Sequence, residues 1–223
     1  MSDYFVSGSD TGVGKTLVAC ALLRRYARLG IRAAAMKPVA AGLDAQGVND
    51  DVVALRAAAT CDAPLHLINP FSFPLAAAPH LAAAAVGAEI RFAPILGAFA
   101  ELQRSAEAII VEGVGGFRVP LGPDGDSADL ARALGLPVIL VVGLRLGCLN
   151  HALLTAEAIR RRGLDLAGWV ANRIDPAMAL GEANVDTLRG LLEAPLLGEV
   201  PFMAQPDAEA AADCLRLPEE PAA

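Results

Sequence analysis

Lysine is nearly absent from this chain: sixteen of its eighteen basic residues are arginine, and only Lys15 and Lys37 remain. Positive charge alone is therefore supplied by Arg, whose planar fork cannot replace a compact, rotatable ammonium. A general bias toward Arg accounts for the surface, including the RRYAR and IRRRG stretches, read here as exposed helix ends. It does not account for where the two lysines fall. Each sits beside a short strand-like run, Lys15 in GSDTGVGKT after YFVS and Lys37 in MKPVAAG after IRAAA. Both are candidate site residues.

Other scarcities narrow the field. Aromatics at 4% and a net charge of −7 offer little for stacking on bases or for attraction to an anionic surface. Neither nucleic acid nor a membrane is an expected partner. No run approaches the roughly 20 apolar residues that span a bilayer. MSDYFVSGSD has no basic segment leading into a long apolar one, so no signal peptide is expected. Cys20, Cys61, Cys148 and Cys214 form no CxxC pair and have no histidine at ligand spacing. That argues against zinc or a disulfide framework, and for a cytoplasmic setting.

What is present is a 55% hydrophobic chain of 223 residues, long enough to bury a substantial core as one domain over 1–223. Short apolar runs predict strands over 4–7, 33–39, 108–112, 138–143, 168–172 and 196–200. Helical patterns over 15–29, 51–59, 92–105, 127–134, 150–162 and 183–193 lie between them. Gly30, Gly135 and Gly163 are expected stops. The alternation predicts an α/β fold with a mostly parallel sheet, and GSDTGVGKT after the first strand makes it a three-layer P-loop type domain. Residues 60–91 are proline-rich and read as a long loop with one short strand and a small helix, a length that often marks function. From about 206 the Ala-, Glu- and Pro-rich tail is expected to be loosely ordered after a short helix.

GSDTGVGKT lies between a strand and a helix, where consecutive N–H groups and the helix N-terminus cradle an anion. Gly12 and Gly14 permit close approach, Lys15 meets phosphoryl oxygens, and the Thr16 hydroxyl is placed for magnesium. The loop is one residue longer than GxxxxGK[ST], its first glycine being Gly8. Magnesium also takes carboxylates. Glu112 ends the strand AIIV, where α/β sheets open their ligand crevice. Asp51 opens a helix, and a plain N-cap is the rival reading.

At these residues the chain resembles the dethiobiotin synthetase family. The likeness runs through GSDTGVGKT, MKPVAAG, the NDD acid, INPFSF with APH, VEGVGG, PVILVVGLRLGCLNHALLT, GWVANRI and APLLGEVPF. It implies a homodimer that uses ATP and Mg2+ to close a cyclic urea from 7,8-diaminononanoate and carbon dioxide. Lys15 and Lys37 would flank the reacting anions, with Thr11 touching substrate. Thr16, Asp51 and Glu112 would hold the metal. The nucleotide would contact Gly12, Val13, Gly14, Lys15, Thr16 and Leu17, then Asp51 and Glu112 through Gly113, Val114 and Gly115. Asn172 with Arg173 would read adenine, flanked by Pro201, Phe202 and Met203. Cys148, Leu149 and Asn150 would meet the substrate carboxylate across the dimer. Ala41 stands where many members carry a substrate-touching Ser, which removes one hydrogen bond, typically worth ~1 kcal/mol.

The rival class is a partner-regulated switch ATPase of similar fold. Those begin the loop KGGVGKT, whereas this chain has Ser9 and Asp10 there, and its tail is acidic where their membrane-binding forms are basic. A cobyrinate-type amidating enzyme needs a glutaminase domain that this length does not hold. A non-enzymatic nucleotide-binding module has no need of both lysines and both acids.

Overall fold

Strands apolar at every position need cover on both faces, and this chain supplies it by alternating them with helices. The computed structural model describes residues 3–220. Its first half contains β1 (Tyr4–Gly8), α1 (Lys15–Arg28), β2 (Ala33–Met36), β3 (Val39–Ala41), α2 (Asp50–Ala58), α3 (Leu65–Ile68), β4 (Phe71–Phe73), α4 (Pro79–Ala84) and α5 (Phe92–Leu102). Then come β5 (Ala108–Gly116), β6 (Pro120–Gly122), β7 (Gly125–Asp126), α6 (Ser127–Leu134), β8 (Val138–Leu144), α7 (Cys148–Arg161), β9 (Leu166–Arg173), α8 (Gly181–Leu191), β10 (Leu196–Val200) and α9 (Ala208–Asp213). Six strands form one parallel sheet in the order β10-β9-β8-β1-β5-β2.

Side chains of β1 alternate between two cores, as the period of two along a strand requires. Phe5 packs with Ile95, Phe99 and Leu130, while Tyr4 and Val6 pack with Val18, Leu22 and Tyr26 of α1. A third cluster fills the space between β8, β9, α7 and α8 around fully buried Trp169. The chain works to one side of β1 first and to the other after β5. That reversal opens a crevice at the C-terminal end of β1, where ligands of such sheets bind.

Three expectations are corrected. The run 33–39 is not one strand. It breaks after Met36 because Pro38 lacks an N–H for the ladder, and the Lys37 N–H turns aside to Ile68 O at 2.7 Å. Val39–Ala41 then pairs with β4 in a separate two-stranded sheet. The Arg-rich end of α1 is not simply solvated: Arg25 pairs with Glu220, and Arg28 with Asp213 at 2.7 Å and Glu209 at 3.0 Å. These pairs lie along a tail that is docked as far as it is described. Asp207 caps α9, which lies on α1, and Leu215 and Leu217 are buried against the same helix. Each such leucine contributes about 1.5–3 kcal/mol, enough to hold a short segment that composition alone reads as loose.

The turn after β5 brings an unanticipated hairpin, β6 with β7, and residues 60–91 hold α3 as well as β4 and α4. Among the described residues no helix is long and apolar enough to cross a membrane.

Candidate functional site

The crevice gathers residues from strand ends of the central sheet and from the first turns of α1 and α2. Val6 pairs with Glu112, and Met36 pairs with Val111. Lys37 and Glu112 therefore emerge side by side from neighbouring strands, next to the loop that follows β1. Gly14 caps α1 in the left-handed region at φ 87, and a Cβ there would lie 2.1 Å from the Asn172 amide. Only glycine fits. A Cβ on Gly8 would meet Asp10 O and the Val13 side chain, both at 2.7 Å, so the longer loop also starts from an obligatory glycine.

The loop wraps a cavity of about 850 Å³. Thr11, Gly12, Gly14, Lys15, Thr16, Lys37, Ala41, Asp51, Glu112, Val114 and Gly115 line it. Its floor is polar and tightly connected. The Lys37 ammonium donates to Glu112 Oε1 at 2.6 Å, Asp51 Oδ2 at 3.0 Å and Gly113 O at 3.3 Å. The Thr16 hydroxyl lies 2.8 Å from Asp51 Oδ1 and 2.9 Å from Glu112 Oε1, and its single proton serves only one of them at a time. Lys15 donates to Asp10 O at 3.3 Å.

Burial governs the charges here. It pulls the Lys37 ammonium down, but Glu112 and Asp51 together outweigh it and hold Lys37 above the ordinary lysine value. Burial pushes the Glu112 carboxyl above the usual range, and Lys37 offsets only part of that. Asp51, more accessible, is held low because Lys37 and the Thr16 hydroxyl overcome its burial. Lys15 is lowered, first by burial and then by repulsion from Lys37. Cys20 is no nucleophile, since burial pushes its thiol up to about 12.

The N-cap reading of Asp51 is overturned. Asn49 caps α2, accepting from Val52 N at 3.3 Å, and leaves Asp51 in the first turn to face Thr16 and Lys37. Glu112 Oε2 is buried without a hydrogen-bond partner among the described residues. Burying an acceptor in that condition is costly. Two carboxylates, a hydroxyl and one unsatisfied oxygen fit a hard divalent ion of the magnesium type, which takes few protein ligands and fills its shell with water and phosphate.

Other expected residues lie apart from this cavity. Asn172 pairs in register with Gly143 and Val200, is buried under the loop, and donates its Nδ2 to Val13 O at 2.8 Å. One amide hydrogen is thus committed to the loop itself. Val13 is buried beneath the loop and Leu17 packs against the α1 core. Arg173 pairs with Glu199 at 3.4 Å, and Pro201 and Phe202 are exposed beyond β10, ahead of half-buried Met203. Cys148 is buried, Leu149 half-buried and Asn150 exposed at the start of α7, beside Leu146 at 96% exposure. His151 Nδ1 lies 3.9 Å from Asp10, and the Cys148 thiol faces Asn184 Oδ1 at 4.0 Å.

Sequence reasoning missed several contributors. Ala40, Asn49, Val119 and the stretch Ala76–Pro79 also line the cavity. The proline-rich length of 60–91 was the signal for Ala76–Pro79, while Ala40 and Asn49 lie within MKPVAAG and the NDD stretch and Val119 had none. Asn69 donates to Lys37 O at 2.6 Å and to Phe71 O at 3.0 Å, pinning the backbone that carries Lys37. Asp10 accepts from Thr11 N at 2.7 Å and pairs with Arg145, tying the loop to the segment before α7.

Residues 2–210 match the family model of an AAA domain. The chain is 56% identical over 218 residues to the ATP-dependent dethiobiotin synthetase BioD of Aromatoleum aromaticum, covering 96% of this chain and 97% of the relative. It is 53% identical over 213 residues to the protein of the same name from Ralstonia nicotianae, covering 94% and 93%. Among solved structures, the MinD cell division protein of Aquifex aeolicus aligns at a TM-score of 0.56 and 15% identity, over 92% of this chain and 84% of that one. The septum site-determining protein MinD complexed with Mg-ADP, from Pyrococcus horikoshii, aligns at 0.52 and 18%, over 90% and 82%. At these identities the structural likeness concerns the P-loop fold alone.

Proposed function

The chain belongs to the ATP-dependent dethiobiotin synthetase family, ATP-dependent ligases of biotin synthesis, and from that premise we propose how its residues carry the reaction. The substrate is 7,8-diaminononanoate. One amine adds to carbon dioxide, forming an N–C bond and losing a proton, to give a carbamate. A carbamate oxygen attacks the γ-phosphorus of ATP, and ADP leaves. The second amine attacks the carbonyl carbon of the resulting anhydride, phosphate leaves, and the cyclic urea closes.

Two anions must meet in the second step, so clamping of charge dominates the acceleration. Lys15, fixed at the start of α1, faces the transferred phosphoryl group. Lys37, at the end of β2 beside Glu112, serves the carbamate. Thr11 orients the amine. Thr16, Asp51 and Glu112 would hold Mg2+, which when bound neutralises phosphate charge. Apolar Ala41, Ala76, Ala77 and Val114 keep water from the anhydride. The adenine role falls to Asn172 with Arg173 and to Pro201–Met203, because the first two end β9, where Asn172 bonds the loop, and the others follow β10, the strand paired with it.

The homodimer enters because Cys148, Leu149 and Asn150 do not line the cavity of their own chain. Exposed Leu146 and Asn150 at the start of α7 suit a second copy that receives the substrate carboxylate at its helix N-terminus.

One observation carries the reading: both lysines of the chain, both candidate carboxylates and the loop hydroxyl converge on one cavity. The test is phosphate release from ATP and Mg2+ with and without the diamine and bicarbonate. Release should depend on both. Hydrolysis indifferent to the diamine would refute the synthetase reading and favour a switch ATPase.

A further inference from the structure

Lys37 has no hydrogen left for a substrate. An ammonium carries three N–H donors, and those of Lys37 face three acceptors, Asp51 Oδ2, Glu112 Oε1 and Gly113 O, within 3.3 Å. The side chain is 4% exposed. As placed, it is a saturated internal ion pair, not a group aimed at an incoming anion. The same two carboxylates are bridged a second time by Thr16 Oγ1, at 2.8 and 2.9 Å. A divalent ion bound by Thr16, Asp51 and Glu112 would therefore sit within about one contact distance of the Lys37 nitrogen, and two cations so close repel strongly.

We propose that Lys37 is a tethered counter-ion occupying the metal's place. In this scheme a divalent ion takes over its carboxylates and sets Lys37 free to reach the anions of the cavity. The exchange keeps both carboxylates countered, since an ammonium of charge +1 leaves as an ion of charge +2 arrives, and the site gains one positive charge for the phosphates. It gives order to the site, because the residue that must grip the carbamate is armed only when the metal and nucleotide are in place. Asn69 makes the motion a side-chain swing: it holds the Lys37 carbonyl at 2.6 Å while the Lys37 N–H is bonded to Ile68 O. The inference rests on the assignment of Thr16, Asp51 and Glu112 to a divalent ion.

The near-absence of lysine makes the test clean. Protein grown with lysine labelled at Cε shows two lysine resonances, assigned by Lys37→Arg or Lys37→Met, each of which leaves one. ADP is used so that no γ-phosphate or turnover intervenes. In the ADP-bound wild type, Mg2+ should move the Lys37 resonance. In parallel, Mn2+ binding is counted by electron paramagnetic resonance. Lys37→Met, by removing the competitor, should tighten it at least about tenfold; Glu112→Gln should weaken it. Suppose Glu112→Gln weakens Mn2+ binding, yet the Lys37 resonance stays still or Lys37→Met binds no tighter. Then the exchange is overturned and the metal assignment stands. If Glu112→Gln binds Mn2+ as tightly as wild type, the metal assignment itself falls and the exchange with it. Should Lys37→Met not fold, the wild-type resonance decides alone.

Discussion

Lys37→Arg separates a charge from a shape. Apart from Lys15 this chain uses arginine for every other basic role, so a residue needed only for its charge should tolerate the change. The structure says otherwise. The Lys37 nitrogen fits among Glu112, Asp51 and Gly113 O at 2.6–3.3 Å with 4% of its side chain exposed. A guanidinium is wider and rigid, and forcing it into that space is overpacking, which costs about 1–3 kcal/mol of stability. The protein should still fold, because Glu112 keeps a cationic partner. Catalysis should suffer more. Charged hydrogen bonds are worth roughly 1.5–3 kcal/mol each. Misaligning two of them in the transition state removes about 3–6 kcal/mol, a fall of roughly 10²–10⁴ in turnover. The assay is diamine- and bicarbonate-dependent phosphate release, with ADP binding measured separately; binding should survive, since Lys15 and the loop are untouched. Lys37→Met should be at least as inactive and less stable, because a buried pair that loses one partner costs about 3–5 kcal/mol. If Arg retains more than about a third of wild-type turnover, Lys37 is only a positive charge and the geometric argument is wrong.

Glu112→Gln should raise the Mg2+ concentration needed for half-maximal turnover and lower the maximum; an unchanged Mg2+ dependence would make Glu112 purely structural. Asn69→Ala removes the bond to the Lys37 carbonyl and should lower kcat by about tenfold with the KM for ATP unchanged, about the worth of one hydrogen bond. Equal effects on both parameters would mark Asn69 as a general stability residue. Inactive Lys15→Gln and Asn150→Asp proteins, mixed under conditions that exchange subunits, should recover part of the wild-type activity; no recovery despite shown exchange would count against a shared site.

The elements that sequence placed best are those with one dominant cause. Strands β1, β8 and β10 and helix α6 are simple periodic runs between turn residues, and their observed limits differ from the expected ones by at most a residue. The break at Lys37 was missed because IRAAAMKPVA reads as one apolar run; Pro38 gives the warning, but only the Ile68 carbonyl explains where the freed N–H goes. The tail was misread because its local composition is that of a disordered segment. Its order comes from Leu215 and Leu217 on α1 and from Arg25 and Arg28, contacts close to 190 residues apart in sequence. No window of the chain contains both sides of such a contact.

The site divides along the same line. Lys15, Thr16 and their glycines were legible because a phosphate loop is local, and its chemistry is written in consecutive residues. Glu112 and Asp51 were legible by position, at a strand end and a helix start, but not by partner. What converts four scattered residues into one device is the register Val6 with Glu112 and Met36 with Val111, which no motif encodes. The structural neighbours make the complementary point. MinD proteins share this fold at 15–18% identity, so the scaffold alone does not choose between a synthetase and a switch ATPase. The choice rests on what stands beside the scaffold. Ser9 and Asp10 stand where a switch-ATPase loop of the KGGVGKT kind carries lysine, and the second lysine comes instead from the end of β2, where Pro38 breaks the strand. That lysine opens onto the same cavity as the loop, which under the proposed function gives it a second anion to meet. That geometry, with relatives 53–56% identical over nearly the whole chain, is why the synthetase reading is preferred to the switch ATPase.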